Sequence, residues 1–242
     1  MPTKRQRLGQ HMLVDGKVLA KIIDAAEISK SEIVCEAGTG RGILTAELCK
    51  RAKYVVSFEV DAGLLGMARQ ELHFDNLELV KGDTFKSGEI TFDVFVSNLP
   101  YSRSRDAIEW LATQKFDRCI VMVQREFADK LAAAPGDADY RAISALANYC
   151  FKITNVTSVD RKSFYPQPLV DSAVLKIVPV HRVTKDTISK LNFLFSRRNR
   201  KAKSFATRAG IADTDVGEKR IDQLPGAILV RIAGRINDIR AI

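Results

Sequence analysis

The sequence predicts an α/β fold, with a doubly wound and mostly parallel sheet followed by a small α-helical C-terminal domain. Three observations support this prediction. Short apolar runs alternate with helical repeats over about the first 160 residues, which is typical of strand–helix–strand units. A glycine-rich turn, Gly38–Gly42, connects the first apolar run to a helix. After Pro179 the β-type runs stop, and short helical repeats follow.

Hydrophobic periodicity places each element along the chain. Val18, Ile22 and Ala26 recur at helical spacing and predict an amphipathic first helix. Five runs predict parallel strands: Ile33–Ala37, Tyr54–Phe58, Leu77–Val80, Phe92–Ser97 and Cys119–Val123. Helices are predicted at Ile43–Lys50, Ala62–Leu72, Asp106–Gln114, Glu126–Ala133 and Arg141–Phe151. Two later runs, Thr154–Val159 and Ala173–Val178, suit a final antiparallel hairpin.

A change of pattern near residue 180 predicts two domains, 1–180 and 181–242. Short helices are predicted in the second domain at Ile188–Phe195, Ala202–Ala209 and Ile228–Ala233. The net charge of +9 is concentrated there, because residues 182–242 contain 14 Lys and Arg against 6 Asp and Glu. Such a basic segment is typical of proteins that bind a polyanion, although charge for solubility alone is the alternative.

Composition argues against several classes of protein. The first twelve residues are polar and basic, unlike a signal peptide, and no apolar run approaches the roughly 18 residues of a membrane span. We therefore expect a soluble, cytoplasmic protein with no membrane partner. The four cysteines are scattered in apolar stretches and the three histidines lie far apart. Buried reduced thiols and no metal site are expected.

The segment Glu36–Gly42 predicts a nucleoside cofactor site. Its glycines permit a tight turn and let backbone N–H groups approach a ligand. The spacing is G-x-G-x-G, whereas G-x-G-x-x-G accommodates the pyrophosphate of NAD. Glu59 ends the next strand, where a carboxylate suits ribose hydroxyls, and Asp83 follows the third strand, where it could meet an adenine amino group. These features favour S-adenosylmethionine over NAD as the cofactor. For Asp83 alone, the alternative is an aspartate that only stabilises a turn.

The motif Asn98–Leu99–Pro100–Tyr101 follows the fourth predicted strand and predicts methyl transfer to an adenine amine. The lone pair of that amine is otherwise delocalised into the ring. The side-chain carbonyl of Asn98 and the backbone carbonyl of Leu99 could accept hydrogen bonds from its two N–H groups. Pro100 holds the loop rigid, and Tyr101 offers a ring on which the base can stack. The alternative is a turn that only terminates the strand.

With these motifs the sequence resembles the ribosomal RNA adenine N6,N6-dimethyltransferases that act near the 3′ end of small-subunit rRNA. The resemblance covers essentially the whole chain and is most specific at Phe164–Val174. It includes Leu8–Leu13, similar to the family's lid over the cofactor, and Met122–Ala128. The basic Phe195–Lys201 looks like the start of the family's RNA-facing helix. The His11 variant and the short C-terminal domain are closer to archaeal members.

The resemblance implies a Rossmann-like class I methyltransferase sheet and S-adenosylmethionine as cofactor. It also implies a monomer that dimethylates two adjacent adenosines of 16S rRNA within a pre-30S-like particle, during small-subunit biogenesis. The residues that we predict to bind the donor are Gln10, His11, Leu13, Glu36, Gly38, Gly40, Glu59, Asp83 and Asn98. Those predicted to hold or enclose the target base are Asn98, Leu99, Tyr101 and Phe164, with core packing as the alternative for Phe164.

Three positions depart from the family pattern. Thr39 stands where the family often has proline, which should matter little because the glycines set the turn. Ser102–Arg105 replaces a more apolar stretch and puts the conformation of the substrate loop in doubt, although its arginines could bind phosphate. Leu169 replaces a frequent lysine and removes one possible RNA contact.

The cluster Arg197, Arg198, Arg200 and Lys201 predicts contacts with RNA phosphates. If this stretch is helical, Arg197, Arg200, Lys201 and Arg208 share one face and form a phosphate-binding ridge. A solvated helix face is the alternative. Two other functions stay open: a large-subunit rRNA adenine methyltransferase, and a non-catalytic ribosome assembly factor. A DNA adenine methyltransferase is less favoured, since those enzymes usually carry a sizeable target-recognition domain.

Overall fold

The computed structural model describes residues 11–236 of the chain, which divides into two compact units. Of these described residues, the first unit comprises 11–107, Gln114–Arg125 and Ile153–Val178, and the second comprises Ile108–Thr113, Glu126–Lys152 and 179–236. The predicted single boundary near residue 180 therefore omitted two earlier segments of the second unit. Packing is the reason, because helix Ala142–Cys150 contacts the helices Lys185–Ser196 and Gly226–Arg235.

A seven-stranded sheet forms the centre of the first unit. Two short strands, β1 (Met12–Leu13) and β8 (Phe164–Tyr165), pair with each other outside this sheet. The strands of the sheet in chain order are β2 (Ile33–Ala37), β3 (Tyr54–Glu59), β4 (Leu77–Lys81), β5 (Val94–Asn98), β6 (Arg118–Gln124), β7 (Phe151–Val159) and β9 (Ser172–Pro179). They lie in the order β4-β3-β2-β5-β6-β9-β7. Strands β2 to β6 are parallel, and β9 pairs antiparallel with β6. The predicted Rossmann-like α/β fold is thus confirmed.

The strand order creates a crevice at the carboxyl edge of the sheet. The chain proceeds outward from β2 through β3 to β4 and then returns to place β5 on the other side of β2. Ligands of such sheets bind outside the carboxyl ends of the strands at this reversal point. Here the strand ends are Ala37, Glu59, Lys81 and Asn98, so the predicted motifs meet at one edge.

The helices match the predicted ones within a few residues at each end, except for Asp213–Val216, which was not predicted. They are α1 (Gly16–Ala26), α2 (Ile43–Cys49), α3 (Ala62–Glu71), α4 (Ser104–Leu111), α5 (Arg125–Ala132), α6 (Ala142–Cys150), α7 (Lys185–Ser196), α8 (Lys203–Arg208), α9 (Asp213–Val216) and α10 (Gly226–Arg235). Asp15 caps α1 by accepting from the backbone N–H groups of Lys17 and Val18. The apolar face of α1 packs into the core beside β6, with Ile22 and Ile23 almost fully buried.

The basic cluster lies between two helices, as the predicted helix bounds imply, so the condition for a shared helical face is not met. Helix α7 ends at Ser196, and α8 begins only at Lys203. Between them, the N–H of Ala202 donates to the carbonyl of Lys219 at 2.9 Å. The carbonyl groups of residues 198 and 200 accept from the N–H groups of residues 222 and 221. Local bonds also form turns at residues 197–200, where the N–H of Arg200 donates to the carbonyl of Arg197 at 2.8 Å. The four basic residues therefore do not share one helical face.

Within residues 11–236, no helix is long and apolar enough to cross a membrane. The four cysteines are buried free thiols, as predicted. Burial raises the pKa of the Cys49 thiol to about 12, which keeps it protonated at neutral pH.

A half-buried arginine ties the end of α1 to the sheet. The guanidinium of Arg118 donates to the carbonyl groups of Ala26 and Glu27 at 2.6 and 2.7 Å. It also forms two bonds to the Glu32 carboxylate, at 2.7 and 2.9 Å. These bonds from Arg118 lower the pKa of Glu32 from 4.5 to about 2. Because the folded pKa lies below the unfolded value, the pair stabilises the protein above pH 4.5.

We expect Arg118→Met to lower the free energy of unfolding by about 2–4 kcal/mol at pH 7, because Glu32 loses its charged partner. The control is Arg51→Met, which breaks the exposed pair with Glu47 and should cost less than about 0.5 kcal/mol. Urea unfolding at several pH values measures both effects. The wild-type protein should lose stability as the pH falls from about 4.5 to about 2, and the Arg118→Met protein much less. If Arg118→Met and Arg51→Met lowered the free energy of unfolding by equal amounts, Arg118 would not have this role.

Candidate functional site

A cavity of about 290 Å³ lies at the carboxyl edge of the sheet in the first unit. Of the residues predicted to bind the donor, its lining includes His11, Leu13, Gly38, Gly40, Glu59 and Asp83. Of the residues predicted to be catalytic or to bind the target, it includes Asn98, Leu99, Pro100, Tyr101 and Phe164. Gln10 lies outside the described residues. The motifs that are scattered along the sequence thus converge on one cavity.

The glycine turn forms one wall of the cavity. Gly38 and Gly40 have φ angles of +87° and +58°, a region that side chains with a Cβ rarely adopt. The N–H of Gly38 donates to the carbonyl of Phe58 at 2.8 Å, which fixes the turn against β3. A Cβ added at either glycine would meet no atom within 4 Å. The turn therefore presents bare backbone to the cavity, as a closely bound ligand requires.

Glu36 supports the turn from below instead of lining the cavity. Its carboxylate is fully buried and accepts from the hydroxyl groups of Thr45 and Ser57, both at 2.6 Å. Ser57 also bonds the hydroxyl of Thr39 at 2.6 Å. Burial raises the pKa of the Glu36 carboxyl to about 7, although the bonds from Ser57 and Thr45 act in the opposite direction. The structure therefore does not place Glu36 where the predicted direct contact with the donor requires it.

Glu59 is held rigidly at the end of β3. One carboxylate oxygen accepts from the N–H of Gly40, and the other from the N–H of Asp61, both at 2.9 Å. Each carboxylate oxygen has a second acceptor site, so Glu59 can still bind two hydroxyl groups in the cavity. This arrangement suits the two hydroxyl groups of a ribose.

Asp83 and Arg103 line the cavity as a salt-bridged pair. The guanidinium of Arg103 donates to both carboxylate oxygens of Asp83, at 2.9 and 2.7 Å, and pairs with Asp106 at 2.9 Å. It also lies 5.3 Å from the centre of the Phe85 ring. The sequence left the conformation of Ser102–Arg105 open, and the structure shows that its first arginine extends toward the cavity wall.

The amide of Asn98 is oriented by its surroundings. Its Nδ2 donates to the backbone carbonyl of His11 at 3.4 Å, and the His11 ring in turn donates to the carbonyl of Pro166 at 2.7 Å. The Asn98 carbonyl oxygen is consequently the end of the amide that can accept from a ligand. Leu99 and Pro100 follow at the cavity wall before a short 3-10 turn, Tyr101–Arg103.

Two aromatic side chains, Tyr101 and Phe164, line the cavity together with Asn98. The Tyr101 hydroxyl bonds that of Ser172 at 2.7 Å, and its ring centre lies 5.4 Å from that of His11. Burial raises the pKa of the Tyr101 hydroxyl, so it stays neutral at physiological pH. Phe164 is only 3% exposed and belongs to both the core and the cavity wall. It pairs with Leu13 in a two-stranded ribbon of β1 (Met12–Leu13) and β8 (Phe164–Tyr165), so the segment predicted as a lid is bonded to the segment predicted to enclose the base.

The four predicted RNA-contacting residues belong to the second unit and are not among the residues that line this cavity. The Arg197 guanidinium lies over the Phe193 ring at 4.0 Å, and Lys201 is paired with Glu218. Arg198 is half-buried and Arg200 is exposed. Two of these cations therefore already have partners within the protein.

Comparison with known proteins identifies the family. Residues 1–209 match the family described as ribosomal RNA adenine dimethylase. The chain belongs to this family. It is 37% identical over 224 residues to a probable ribosomal RNA small subunit methyltransferase A from Pyrococcus abyssi, covering 90% of this chain and 83% of the relative. With five further archaeal relatives the similar segment covers 62–64% of their length.

Solved structures agree with this assignment. A dimethyladenosine transferase from Plasmodium falciparum superimposes with a TM-score of 0.76 at 28% identity, covering 92% of this chain and 96% of that one. The 23S rRNA methyltransferase ErmE gives a TM-score of 0.63 at 23% identity, covering 94% and 100%, and shows the fold alone. The predictions of the family, of a class I methyltransferase and of S-adenosylmethionine as cofactor are confirmed.

Sequence reasoning missed several residues that organise the site. Thr39 was assigned no role, yet its hydroxyl belongs to the buried chain beneath the glycine turn. Ser172 was part of a quoted motif, but its bond to Tyr101 joins positions 71 residues apart. Phe85, which lines the adenine end of the predicted donor site, follows Asp83 by two residues and was not singled out. Proximity to Asp83 was the one signal that could have identified it.

Proposed function

We propose that the protein transfers methyl groups from S-adenosylmethionine to N6 of two adjacent adenosines near the 3′ end of small-subunit rRNA, giving N6,N6-dimethyladenosine. The observation that carries this proposal is the amide of Asn98 in the cavity lining, whose Nδ2 donates to the His11 carbonyl and whose oxygen remains as the acceptor for a ligand. The name of the Pyrococcus abyssi relative supports the small-subunit target. We further propose that the protein acts as a monomer in the cytoplasm, on a pre-30S-like particle.

The residues of the cavity fit the donor. The bare backbone at Gly38 and Gly40 accommodates the amino-acid portion, and Glu59 retains acceptor sites for the ribose hydroxyl groups. Asp83 lies where the adenine amino group would end, while His11 and Leu13 close the cavity from the N-terminal side. When bound, S-adenosylmethionine supplies a methyl group on a positively charged sulfur atom.

The catalytic loop prepares the target nitrogen. Asn98 Oδ1 and the Leu99 carbonyl accept hydrogen bonds from the two N–H groups of the adenine amine. These bonds favour a tetrahedral nitrogen with an available lone pair. Pro100 contributes no N–H of its own and limits the motion of the loop. Tyr101 and Phe164 provide apolar surface that offsets the unstacking of the flipped base. Positioning and exclusion of water account for the rate, since the amine becomes acidic as it is alkylated.

The basic residues of the second unit hold the RNA backbone. We propose that Arg198 and Arg200 contact the phosphates, because Arg197 and Lys201 already have partners within the protein. These two residues take the place of the helical ridge that the sequence suggested.

We expect Arg200→Glu to weaken binding of small-subunit rRNA about fivefold at 0.1 M salt and to reduce the slope of log K against log salt by about 1. Lys53→Glu, on an exposed lysine of the first unit, is the control and should change neither quantity. An unchanged slope for Arg200→Glu would exclude this contact.

The target is tested with methyl-labelled donor and separated, unmethylated ribosomal subunits. Label in the RNA of the small subunit supports the proposal. Label only in large-subunit RNA would refute it and favour the large-subunit alternative. Tight binding of the particle without any label would instead indicate an assembly factor.

A further inference from the structure

A salt bridge between Arg103 and Asp83 connects two segments that line the same cavity. Arg103 ends the 3-10 turn Tyr101–Arg103, which directly follows the Asn98–Pro100 segment. Its guanidinium binds both oxygens of Asp83, which lies 20 residues earlier in the chain and follows a different strand, β4. A third bond, to Asp106 at the start of α4, fixes the guanidinium from the other side. Arg103 therefore joins three segments around the cavity.

The salt bridge leaves room for a ligand at Asp83. A carboxylate offers about four acceptor sites. Three are used in the structure, two by Arg103 and one by the N–H of Phe85 at 3.1 Å. Lys86 lies 4.0 Å from Oδ2, which is beyond hydrogen-bond distance. One site on Oδ2 thus stays available for an amino group, and the side chains of Arg103 and Phe85 form the adjoining wall.

Several contacts fix the position of the Arg103 side chain. Its side chain is 33% exposed and that of Asp83 is 20% exposed, so the pair is only partly screened by water. The planar guanidinium contacts two carboxylates and lies over the Phe85 ring at the same time. A lysine ammonium cannot reproduce this forked and stacked geometry.

We propose that Arg103 is a positioning residue that couples occupancy of the donor site to the placement of the catalytic loop. This inference rests on the proposed function, in which the adenine of the donor binds at Asp83. A donor that bonds Asp83 stabilises the arrangement in which Arg103 is bound to the same carboxylate. The loop that carries Asn98 is thereby held in the position needed to receive the target base. Coupling of this kind is reciprocal, so an ordered loop also strengthens donor binding.

The test compares Arg103→Met, Arg103→Lys and Arg105→Ala with the wild-type protein. Arg105 is the control, because it lies on the same segment but is not part of the cavity wall. Calorimetry measures the affinity for S-adenosylhomocysteine, and hydrogen exchange measures the protection of residues 98–103 with and without that ligand. Turnover of small subunits gives kcat and KM separately.

We expect Arg103→Met to bind S-adenosylhomocysteine about tenfold more weakly, and to lose the ligand-induced protection of residues 98–103 even at saturation. Its kcat at saturating donor should fall about tenfold, Arg103→Lys should recover part of both losses, and Arg105→Ala should match the wild type in affinity and protection. Undiminished ligand-induced protection in Arg103→Met would overturn the proposed coupling. Failure of the wild-type protein to bind S-adenosylhomocysteine would refute the proposed function itself, which is a separate outcome.

Discussion

Replacing Asn98 with alanine is expected to reduce methyl transfer by about 10³-fold, because the target amine loses the acceptor that holds it. Donor affinity should change by less than about fivefold, since Gly38, Glu59 and Asp83 are untouched. Single-turnover rates on unmethylated small subunits measure the first quantity, and calorimetry with S-adenosylhomocysteine measures the second. The effect should lie in kcat at saturating substrate, as is typical when the lost interaction forms mainly in the transition state.

Two further variants make the Asn98 experiment specific. Asn98→Asp retains a side-chain oxygen but loses the N–H that donates to His11, so we expect intermediate activity. Asn148→Ala removes an amide that donates to the carbonyl of Ala133 in the second unit and should leave transfer unchanged. Wild-type turnover in Asn98→Ala would mean that the amine is bound elsewhere.

Replacing Gly38 with alanine should weaken donor binding about 10- to 100-fold, which corresponds to the cost of overpacking a close contact. The added methyl group would enter open space at the cavity wall, where the donor is proposed to bind. The left-handed backbone adds a separate cost of about 1–2 kcal/mol to the free energy of unfolding.

Gly136 offers a closely matched control for Gly38. Its φ angle is +94° against +87°, its N–H also donates at 2.8 Å to a carbonyl group, and a Cβ there would also meet no atom within 4 Å. Gly136→Ala should therefore lose a similar amount of stability but bind S-adenosylhomocysteine like the wild type. Equal donor affinities for the two variants would contradict the assignment of the glycine turn to the donor.

The parallel sheet and the motifs at its edge could be predicted because they depend on local pattern. An apolar run followed by a polar end, as at Glu59 and Asn98, indicates both the strand and its carboxyl terminus. Since parallel strands share one carboxyl edge, the sequence also indicated that these side chains converge. The roles within the cavity, in contrast, depend on partners that are distant in the chain.

Long-range contacts account for what the sequence did not predict. The salt bridge of Asp83 with Arg103 and the pairing of Leu13 with Phe164 each join segments that carry no local signal for the other. The basic cluster has helical spacing, but it forms turns that are bonded to residues 219–222 instead of a continuous helix. Helix α6 has apolar residues on most of its surface, so its pattern could not indicate to which unit it belongs.

The central claim is that Asn98 and Leu99 grip an adenine amine at the sheet edge. A crystal structure of the protein with S-adenosylhomocysteine and an adenosine-containing fragment of small-subunit rRNA tests it most directly. We expect the N6 atom of the target base within about 3.2 Å of both Asn98 Oδ1 and the Leu99 carbonyl oxygen. A target base whose N6 is held by other groups, with the Asn98 amide turned away from it, would contradict the account.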